Sequence, residues 1–324
     1  MKRVRVENSI GKPLAHDVIQ YGPGVKRVLF TRGHLVSSED LDELKDTGNY
    51  YVYISEGEDD KGVHEEEAAL RIAQAAAGGN ISLTKPDKGR VRLVSESPGL
   101  LKVKSEVVKQ VNLEDDFVLA TRLNNSGVRK NQEVASTKIV PLVIEEGKLE
   151  RVEKILGDNK PVIEVIPPKI EKIGVIIAGK EVYEERIEDA FKPVLEEKLK
   201  PYGLTITKSI ILPDDEEKIK EKIIEYKNGG LELILVTGGM AVDAGDVTAN
   251  AIRGTGARVI PRGTPIFPGN MAMVAYLEDV PVLGLPACVI PDPQTSFDFF
   301  LPRALAKEEI TNEDIAELGH GGLL

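Results

Sequence analysis

Apolar and polar positions follow one pattern over residues 1–83, where strand-like and helix-like stretches are mixed. The run 50–54 has the β-branched and aromatic content of a strand, whereas 63–77 has apolar residues at helical spacing. A small helix is predicted at 37–44, with a serine at its start and Gly48 as its stop. Residues 1–83 are therefore predicted to form a mixed α/β N-terminal region.

A second pattern, of short alternating apolar runs, covers residues 84–168. The runs lie at 91–94, 100–103, 117–123 and 139–144. Clusters of Gly, Asn and Ser separate them, which is typical of strands joined by turns. A β-rich subdomain is predicted, and the prolines at 161, 167 and 168 indicate an extended connection into the next unit.

The third pattern alternates apolar strands with helical stretches over residues 169–310. Strands are predicted at 173–177, 204–212, 231–236, 259–260 and 280–285, and helices at 184–199, 216–226 and 246–252. Such alternation predicts a parallel sheet covered by helices on both faces, a three-layer α/β fold. Residues 311–324 are predicted to be a C-terminal tail.

Composition and charge exclude several classes of function. The formal charge of -11 repels polyanions, so neither nucleic acid nor a membrane is an expected partner. The only cysteine, Cys288, has no second cysteine to pair with, and the four histidines lack metal-ligand spacing. No apolar run approaches the roughly 20 residues of a membrane span, so a cytoplasmic protein is predicted.

The strongest candidate site follows the apolar run 231–236. Thr237, Gly238 and Gly239 come directly after this run, and Asp246 opens the next predicted helix together with Thr248. Consecutive glycines let backbone N–H groups approach a ligand oxygen, and a helix N-terminus attracts negative charge. The pattern predicts a phosphate site, with a plain tight turn as the alternative interpretation.

Two further loops should reach the same edge of a parallel sheet, because ligands bind there at the carboxyl ends of strands. One loop carries Asp214, and the other carries Gly179 and Lys180. If Asp214 and Asp246 converge, Mg²⁺ between them and a phosphate would relieve the repulsion. The alternatives are that the aspartates, Asp215 above all, cap helices and that Lys180 is a solvated surface lysine.

Two turns rich in glycine and proline flank the predicted strand 280–285. Gly269 and Asn270 belong to the first turn, and Pro286 belongs to the second. In a parallel sheet both turns would reach the ligand edge, although each is also explained as loop punctuation. Cys288 is predicted to be a small buried apolar residue, because no histidine lies nearby in the sequence to activate it.

Five motifs occur in the order and approximate spacing of the molybdopterin-binding family. They are Ala178-Gly-Lys-Glu-Val, Leu212-Pro-Asp-Asp, Val236-Thr-Gly-Gly, Pro268-Gly and Gly284-Leu-Pro. This family includes molybdopterin adenylyltransferases, molybdopterin molybdotransferases and competence-damage-inducible proteins. The resemblance implies that Gly238, Gly239 and Asp246 hold the terminal phosphate of molybdopterin. It also implies that Asp214 and Asp246 are catalytic and bind Mg²⁺, and that the protein is a homo-oligomer, a dimer or trimer.

The N-terminal part resembles the molybdotransferases more loosely, through Gly11-Lys-Pro-Leu-Ala-His-Asp-Val, and it lacks their Ser-x-x-Asp-Gly-Tyr segment. Their Gly-Leu-Pro-Gly-Asn-Pro is Gly284-Leu-Pro-Ala-Cys-Val here, and their Pro-Gly-Lys-Pro is Pro268-Gly-Asn-Met. Whether the protein is an enzyme is therefore left open. One hypothesis is Mg²⁺-dependent molybdate insertion or handling of adenylyl-molybdopterin, and another is a non-catalytic carrier or sensor. The third is a nucleotide pyrophosphatase, and all three predict a small anionic pterin or nucleotide ligand.

Overall fold

A computed structural model describes residues 2–55, 62–240, 247–260 and 263–324 of the chain. The first of these ranges forms a small α/β unit. Its elements are β1 (Lys2–Arg5), β2 (Val18–Gly22), β3 (Val25–Phe30), α1 (Asp40–Asp46) and β4 (Tyr51–Ile54). Strand β1 pairs with β4 and strand β2 with β3, both antiparallel. The unit has an apolar core of its own, which includes Leu14, Leu44 and Ile54.

The middle unit combines two larger sheets and one two-stranded sheet with three helices. Its elements are β5 (Val63–His64), α2 (Glu65–Ala76), β6 (Ile81–Leu83), β7 (Arg90–Ser95), β8 (Gly99–Val103), α3 (Ser105–Leu113), β9 (Phe117–Thr121), β10 (Gly127–Val128), β11 (Glu133–Ile139), β12 (Val143–Ile144), α4 (Glu146–Gly157) and β13 (Ile163–Ile166). One of the larger sheets has the order β6-β7-β11-β9, and the other has the order β10-β8-β13. The N-terminal half is thus β-rich, as predicted.

Two of the helices in this unit, α3 and α4, lie between and after the predicted strands, where no helix was predicted. Val107 and Val111 of α3 are buried four residues apart, and Leu149, Val152 and Leu156 of α4 repeat at helical spacing. Helix α2 packs in the same core as β7 and β11. The predicted boundary between 83 and 84 stays a prediction, and it would separate α2 from the strands it packs against.

The C-terminal unit contains the predicted three-layer fold. Its elements are β14 (Ile173–Ala178), α5 (Lys180–Tyr183), α6 (Phe191–Leu199), β15 (Ile206–Leu212), α7 (Glu216–Asn228), β16 (Leu233–Thr237), α8 (Thr248–Gly254), β17 (Arg258–Val259), β18 (Met273–Leu277), β19 (Val280–Leu285), α9 (Phe297–Leu305) and α10 (Asn312–Glu317). Helices α6 and α9 pack on one face of the sheet and α7 and α8 on the other. Successive residues of β14 alternate between these faces, so both sides of the strand are buried.

The six strands of this sheet follow the order β15-β14-β16-β19-β18-β17. The first four are parallel, whereas β18 is antiparallel to β19 and β17 is antiparallel to β18. The sheet is therefore mostly parallel. A short hairpin between Leu277 and Val280 reverses the chain, so β18 begins beside the carboxyl end of β19. Among the described residues, no helix is long and apolar enough to cross a membrane.

Candidate ligand-binding site

A glycine pair ends the central strand β16. Gly238 has φ 81° and Gly239 has φ 55°, in the left-handed region that favours glycine. A Cβ atom on Gly238 would lie 1.8 Å from the carbonyl oxygen of Ala178, at the end of the neighbouring strand β14. Only glycine therefore lets the ends of β14 and β16 approach this closely.

Two buried threonine hydroxyl groups flank the glycines. The Oγ1 atoms of Thr237 and Thr248 have no hydrogen-bond partner among the described residues, and both residues are fully buried. Thr248 lies against Gly239, to whose carbonyl oxygen its backbone N–H donates at 3.3 Å. An unpaired buried hydroxyl costs about 1–3 kcal/mol, so both hydroxyl groups call for an explanation.

The loops after β14 and β15 are tied to each other. The backbone N–H of Lys180 donates to Oδ2 of Asp214 at 2.9 Å, and that of Gly179 donates to the carbonyl oxygen of Leu212 at 3.1 Å. The ammonium group of Lys180 points elsewhere, because its Nζ lies 3.8 Å from Glu184 and its side chain is 71% exposed. The backbone of Lys180, rather than its charge, therefore positions Asp214.

Asp215 has the capping role that the sequence suggested. Its Oδ1 accepts from the backbone N–H of Lys218 at 3.1 Å, in the first turn of α7. This hydrogen bond is the largest cause that lowers the pKa of Asp215.

A cavity of about 420 Å³ brings four of the predicted site residues together. They are Gly179, Asp214, Gly238 and Gly239. The same cavity is lined by three carboxylates that the sequence analysis did not single out, those of Glu181, Glu188 and Asp189. No lysine or arginine lines it within the described part of the chain. An anion entering this cavity therefore meets hydrogen-bond donors of the backbone and carboxylates, not cationic side chains.

Asp189 is already engaged in the structure of its own loop. Its two carboxylate oxygens accept from the backbone N–H groups of Phe191 at 2.8 Å and Lys192 at 3.1 Å, at the start of α6. An aspartate two residues before a helix is a recognisable capping signal. It was overlooked because the predicted helix began at 184 rather than 191.

The turn that carries Gly269 and Asn270 is held by hydrogen bonds within the fold, and its role in ligand binding stays a prediction. The hydroxyl group of Ser296 donates to the carbonyl oxygen of Gly269 at 2.7 Å, and a Cβ on Gly269 would lie 2.4 Å from that hydroxyl. Asn270 accepts from the backbone N–H of Thr264 at 2.8 Å. Neither residue is among those that line the cavity.

The neighbouring residue Phe267 is held by the end of the chain. Its backbone N–H donates to Gly322 at 2.7 Å, and its carbonyl oxygen accepts from Leu324 at 2.9 Å. Pro286, in the second predicted turn, is buried, and the next residue, Ala287, lines the cavity.

Asp246 lies outside the described residues, so its roles in catalysis and metal binding stay predictions. Within the described ranges, no group of three or more His, Cys, Asp or Glu side chains is arranged to hold a metal ion. Asp214 is therefore the one predicted metal ligand whose surroundings are known.

Comparisons with known proteins agree with the motifs. Residues 3–56 match a family described as a domain of unknown function. A search of curated proteins gives no match. Residues 174–307 match the family described as a probable molybdopterin binding domain.

Solved structures similar to this chain include MoaB, a molybdopterin biosynthesis enzyme from Thermus thermophilus, at 18% identity over 41% of this chain and 91% of that one, with a TM-score of 0.35. The tungsten cofactor synthesizing protein MoaB from Pyrococcus furiosus is 22% identical over 38% of this chain and 85% of that one, with a TM-score of 0.31. The molybdopterin biosynthesis Mog protein from Mycobacterium ulcerans is 17% identical over 41% of this chain and 92% of that one, with a TM-score of 0.34. These similarities are too distant to assign an activity. Residues 174–307, by contrast, form a domain of the molybdopterin-binding family, as their motifs predicted.

Proposed function

We propose that the protein binds a molybdopterin in molybdenum cofactor biosynthesis, with the terminal phosphate of the pterin on the glycine pair of β16. The observation that carries the proposal is the pair of buried, unpartnered hydroxyl groups of Thr237 and Thr248. Phosphate oxygens accept hydrogen bonds from hydroxyl groups and from backbone N–H groups. A phosphate beside Gly238 and Gly239 would therefore satisfy groups that the described protein atoms leave unsatisfied.

The carboxylates of the cavity indicate that a phosphate ligand must bind together with a cation. Glu181, Glu188 and Asp214 would repel a phosphate unless a cation lay between them. Mg²⁺ bound by Asp214 and phosphate oxygens fits this chemistry, since Asp214 has a second oxygen besides the one that accepts from Lys180. Glutamate oxygens can also accept from the ring N–H and amino groups of a pterin.

Two observations favour binding without molybdate insertion. Ala287 lines the cavity at the position where the molybdotransferase pattern has glycine, so a methyl group occupies space there. The turn of Gly269 and Asn270 is fastened to Ser296 and Thr264, so we do not propose it as a ligand contact. A carrier or sensor therefore has the stronger support, with an enzyme as the alternative.

The test is retention of pterin by the full chain. Purified protein would be incubated anaerobically with molybdopterin, with and without Mg²⁺, freed of unbound ligand and analysed by mass spectrometry. Thr248→Val should lower retention at least about tenfold, because it removes a hydroxyl that would face the phosphate. Thr137→Val removes a buried hydroxyl in β11 of the middle unit, and this variant should retain as much pterin as the wild type.

Two results would contradict the proposal, namely no retained pterin in the wild type or equal retention by Thr248→Val. Asp214→Asn tests the metal, and we expect it to abolish any increase in retention that Mg²⁺ causes. If the same preparation turns over adenylyl-molybdopterin in the presence of molybdate, the protein is an enzyme rather than a carrier. Hydrolysis of a nucleotide diphosphate bond without pterin binding would favour a pyrophosphatase.

A further inference from the structure

A cleft of about 1180 Å³ lies between the middle unit and the C-terminal unit. One wall consists of the segment 126–132 together with Arg122. The opposite wall includes residues of α6 and α9, Tyr202 and the segment 289–294 after β19. We call this space the inter-unit cleft, and nothing in the proposed function uses it.

The wall from the middle unit carries three positive charges and no negative ones. These are the side chains of Arg122, Arg129 and Lys130, all of them exposed. None has a carboxylate within 4 Å among the described residues. In a chain with a formal charge of -11, three neighbouring cations without a carboxylate partner form a local field opposite to that of the whole protein.

The loop that presents these cations is held in a defined shape. The backbone N–H of Arg129 donates to the side-chain oxygen of Gln132 at 2.8 Å, and the backbone N–H of Gln132 donates back to Arg129 at 3.2 Å. The Nε of Arg122 donates to the carbonyl oxygen of Glu133 at 2.8 Å, which fixes the guanidinium group at its inner end. Donors that are already ordered lose less entropy when a ligand binds.

Most charges on the opposite wall already have partners. The ammonium group of Lys198 contacts both oxygens of Asp298, at 2.7 and 2.8 Å, and Glu197 lies 3.2 Å from Lys200. Burial raises the pKa of Tyr202 to about 12, with Asp298 adding to this shift and Arg129 opposing it. The charge of Arg129 therefore reaches across the cleft to the phenol.

The two walls approach closely at Gly127, where a Cβ would lie 2.2 Å from the hydroxyl oxygen of Tyr202. Beyond this contact the cleft runs toward the glycine pair, because Ile290 lines both the cleft and the cavity of about 420 Å³. From this geometry we propose that the inter-unit cleft binds a small molecule through a diphosphate group, held by Arg122, Arg129 and Lys130.

A diphosphate matches these cations better than a single carboxylate or phosphate does. One guanidinium group binds two phosphate oxygens through two parallel N–H donors. A diphosphate offers enough oxygens and negative charge to contact three cations at once. The cleft is also large enough for a nucleotide-sized molecule. The diphosphate is therefore either free or part of a nucleoside polyphosphate.

Pyrophosphate is the probe for the first experiment, measured by isothermal titration calorimetry on the full chain at about 50 mM salt, where charge screening is modest. We expect the double variant Arg129→Glu/Lys130→Glu to bind at least about tenfold more weakly than the wild type. The control Lys172→Glu/Lys208→Glu makes the same charge change at two exposed lysines that do not line the cleft, and it should bind within threefold of the wild type, about the range of screened long-range effects.

A neutral pair, Arg129→Gln/Lys130→Gln, repeats the test if the charge-reversed chain fails to fold, as judged by circular dichroism. Thr248→Val separates this cleft from the glycine pair, because it leaves Arg122, Arg129 and Lys130 unchanged, and it should keep the pyrophosphate binding that the cleft variants lose. The inference is overturned if the wild type binds no pyrophosphate or if both cleft variants bind like the control. It is also overturned if Thr248→Val is the variant that loses binding.

ATP replaces pyrophosphate in a second titration. Tighter binding of ATP, lost in the same cleft variants, would assign the site to a nucleoside polyphosphate and support the inference. Weaker binding of ATP would assign it to a free polyphosphate and support it equally.

Discussion

The unpartnered hydroxyl of Thr237 leads to a stability prediction with a matched control. Thr237 and Thr137 are both buried, 0% and 2% exposed, and each lies in a strand that pairs on both sides. They differ in one respect, since Oγ1 of Thr137 donates to Val118 at 2.8 Å whereas Oγ1 of Thr237 has no partner among the described residues. Valine has nearly the same shape as threonine but no hydroxyl.

Substitution by valine should therefore act in opposite directions at the two positions. Thr137→Val loses a buried hydrogen bond and should reduce stability by about 1 kcal/mol. Thr237→Val removes an unsatisfied polar group and should raise stability by about 1 kcal/mol in the absence of ligand, since leaving such a group buried costs at least that much.

Hydrogen exchange measured by mass spectrometry reports the two strands separately, which matters because β11 and β16 belong to different units. One kcal/mol corresponds to about a fivefold change in exchange rate. We expect faster exchange in β11 for Thr137→Val and slower exchange in β16 for Thr237→Val. If Thr237→Val speeds exchange in β16 about fivefold, its hydroxyl has a partner and the argument for a ligand there fails.

Three further predictions concern stability. Gly238→Ala should lower the free energy of unfolding by about 3 kcal/mol, because the new Cβ clashes with a carbonyl oxygen. Gly203 has φ 71° and open space around it, so Gly203→Ala should lower the free energy of unfolding by only about 1 kcal/mol. Thermal denaturation of the two variants checks this difference. The pKa of Glu232 is lowered from 4.5 to about 2, chiefly by the hydrogen bond from the backbone N–H of Glu171. The stability that ionised Glu232 contributes is therefore complete above pH 4.5 and is lost as the pH falls toward 2. Urea titrations over this pH range should show that the free energy of unfolding of Glu232→Gln declines less steeply than that of the wild type. Thr311→Ala removes the capping box of α10 and should cost about 1 kcal/mol, and no change in its urea midpoint would contradict this.

The parallel strands were predictable from the sequence, whereas one antiparallel strand was not. Runs such as 173–177 and 233–236 are continuously apolar because both faces of β14 and β16 are covered by helices. The antiparallel strand that was not predicted is β18, which follows a loop rich in glycine and proline. Its pairing with β19 depends on a hairpin whose sequence carries little turn signal. Helices α3 and α4 were not predicted, although their buried residues repeat at helical spacing, because the strand-like runs beside them indicated a β-rich subdomain.

At the site, local motifs predicted the convergence of Gly179, Asp214 and Gly238, since the loops of neighbouring parallel strands meet at one edge. The sequence did not predict that Gly269 would be absent from the residues that line the cavity. That outcome depends on Ser296, which is 27 residues along the chain and reaches the loop only through the packing of α9. Contacts of this kind follow from the assembled fold and have no local pattern.

The fastening of the loop around Gly269 has a consequence for any attempt to re-engineer this turn. Building a Pro-Gly-Lys-Pro turn at 268–271 requires changes at Asn270 and Met271, but the loop is held by Ser296 on one side and by Gly322 and Leu324 on the other. Substitutions in such a contact network are not additive. Converting that turn into a ligand contact is therefore an epistatic change, in which the contacts of distant residues must be released before the new side chains have any effect.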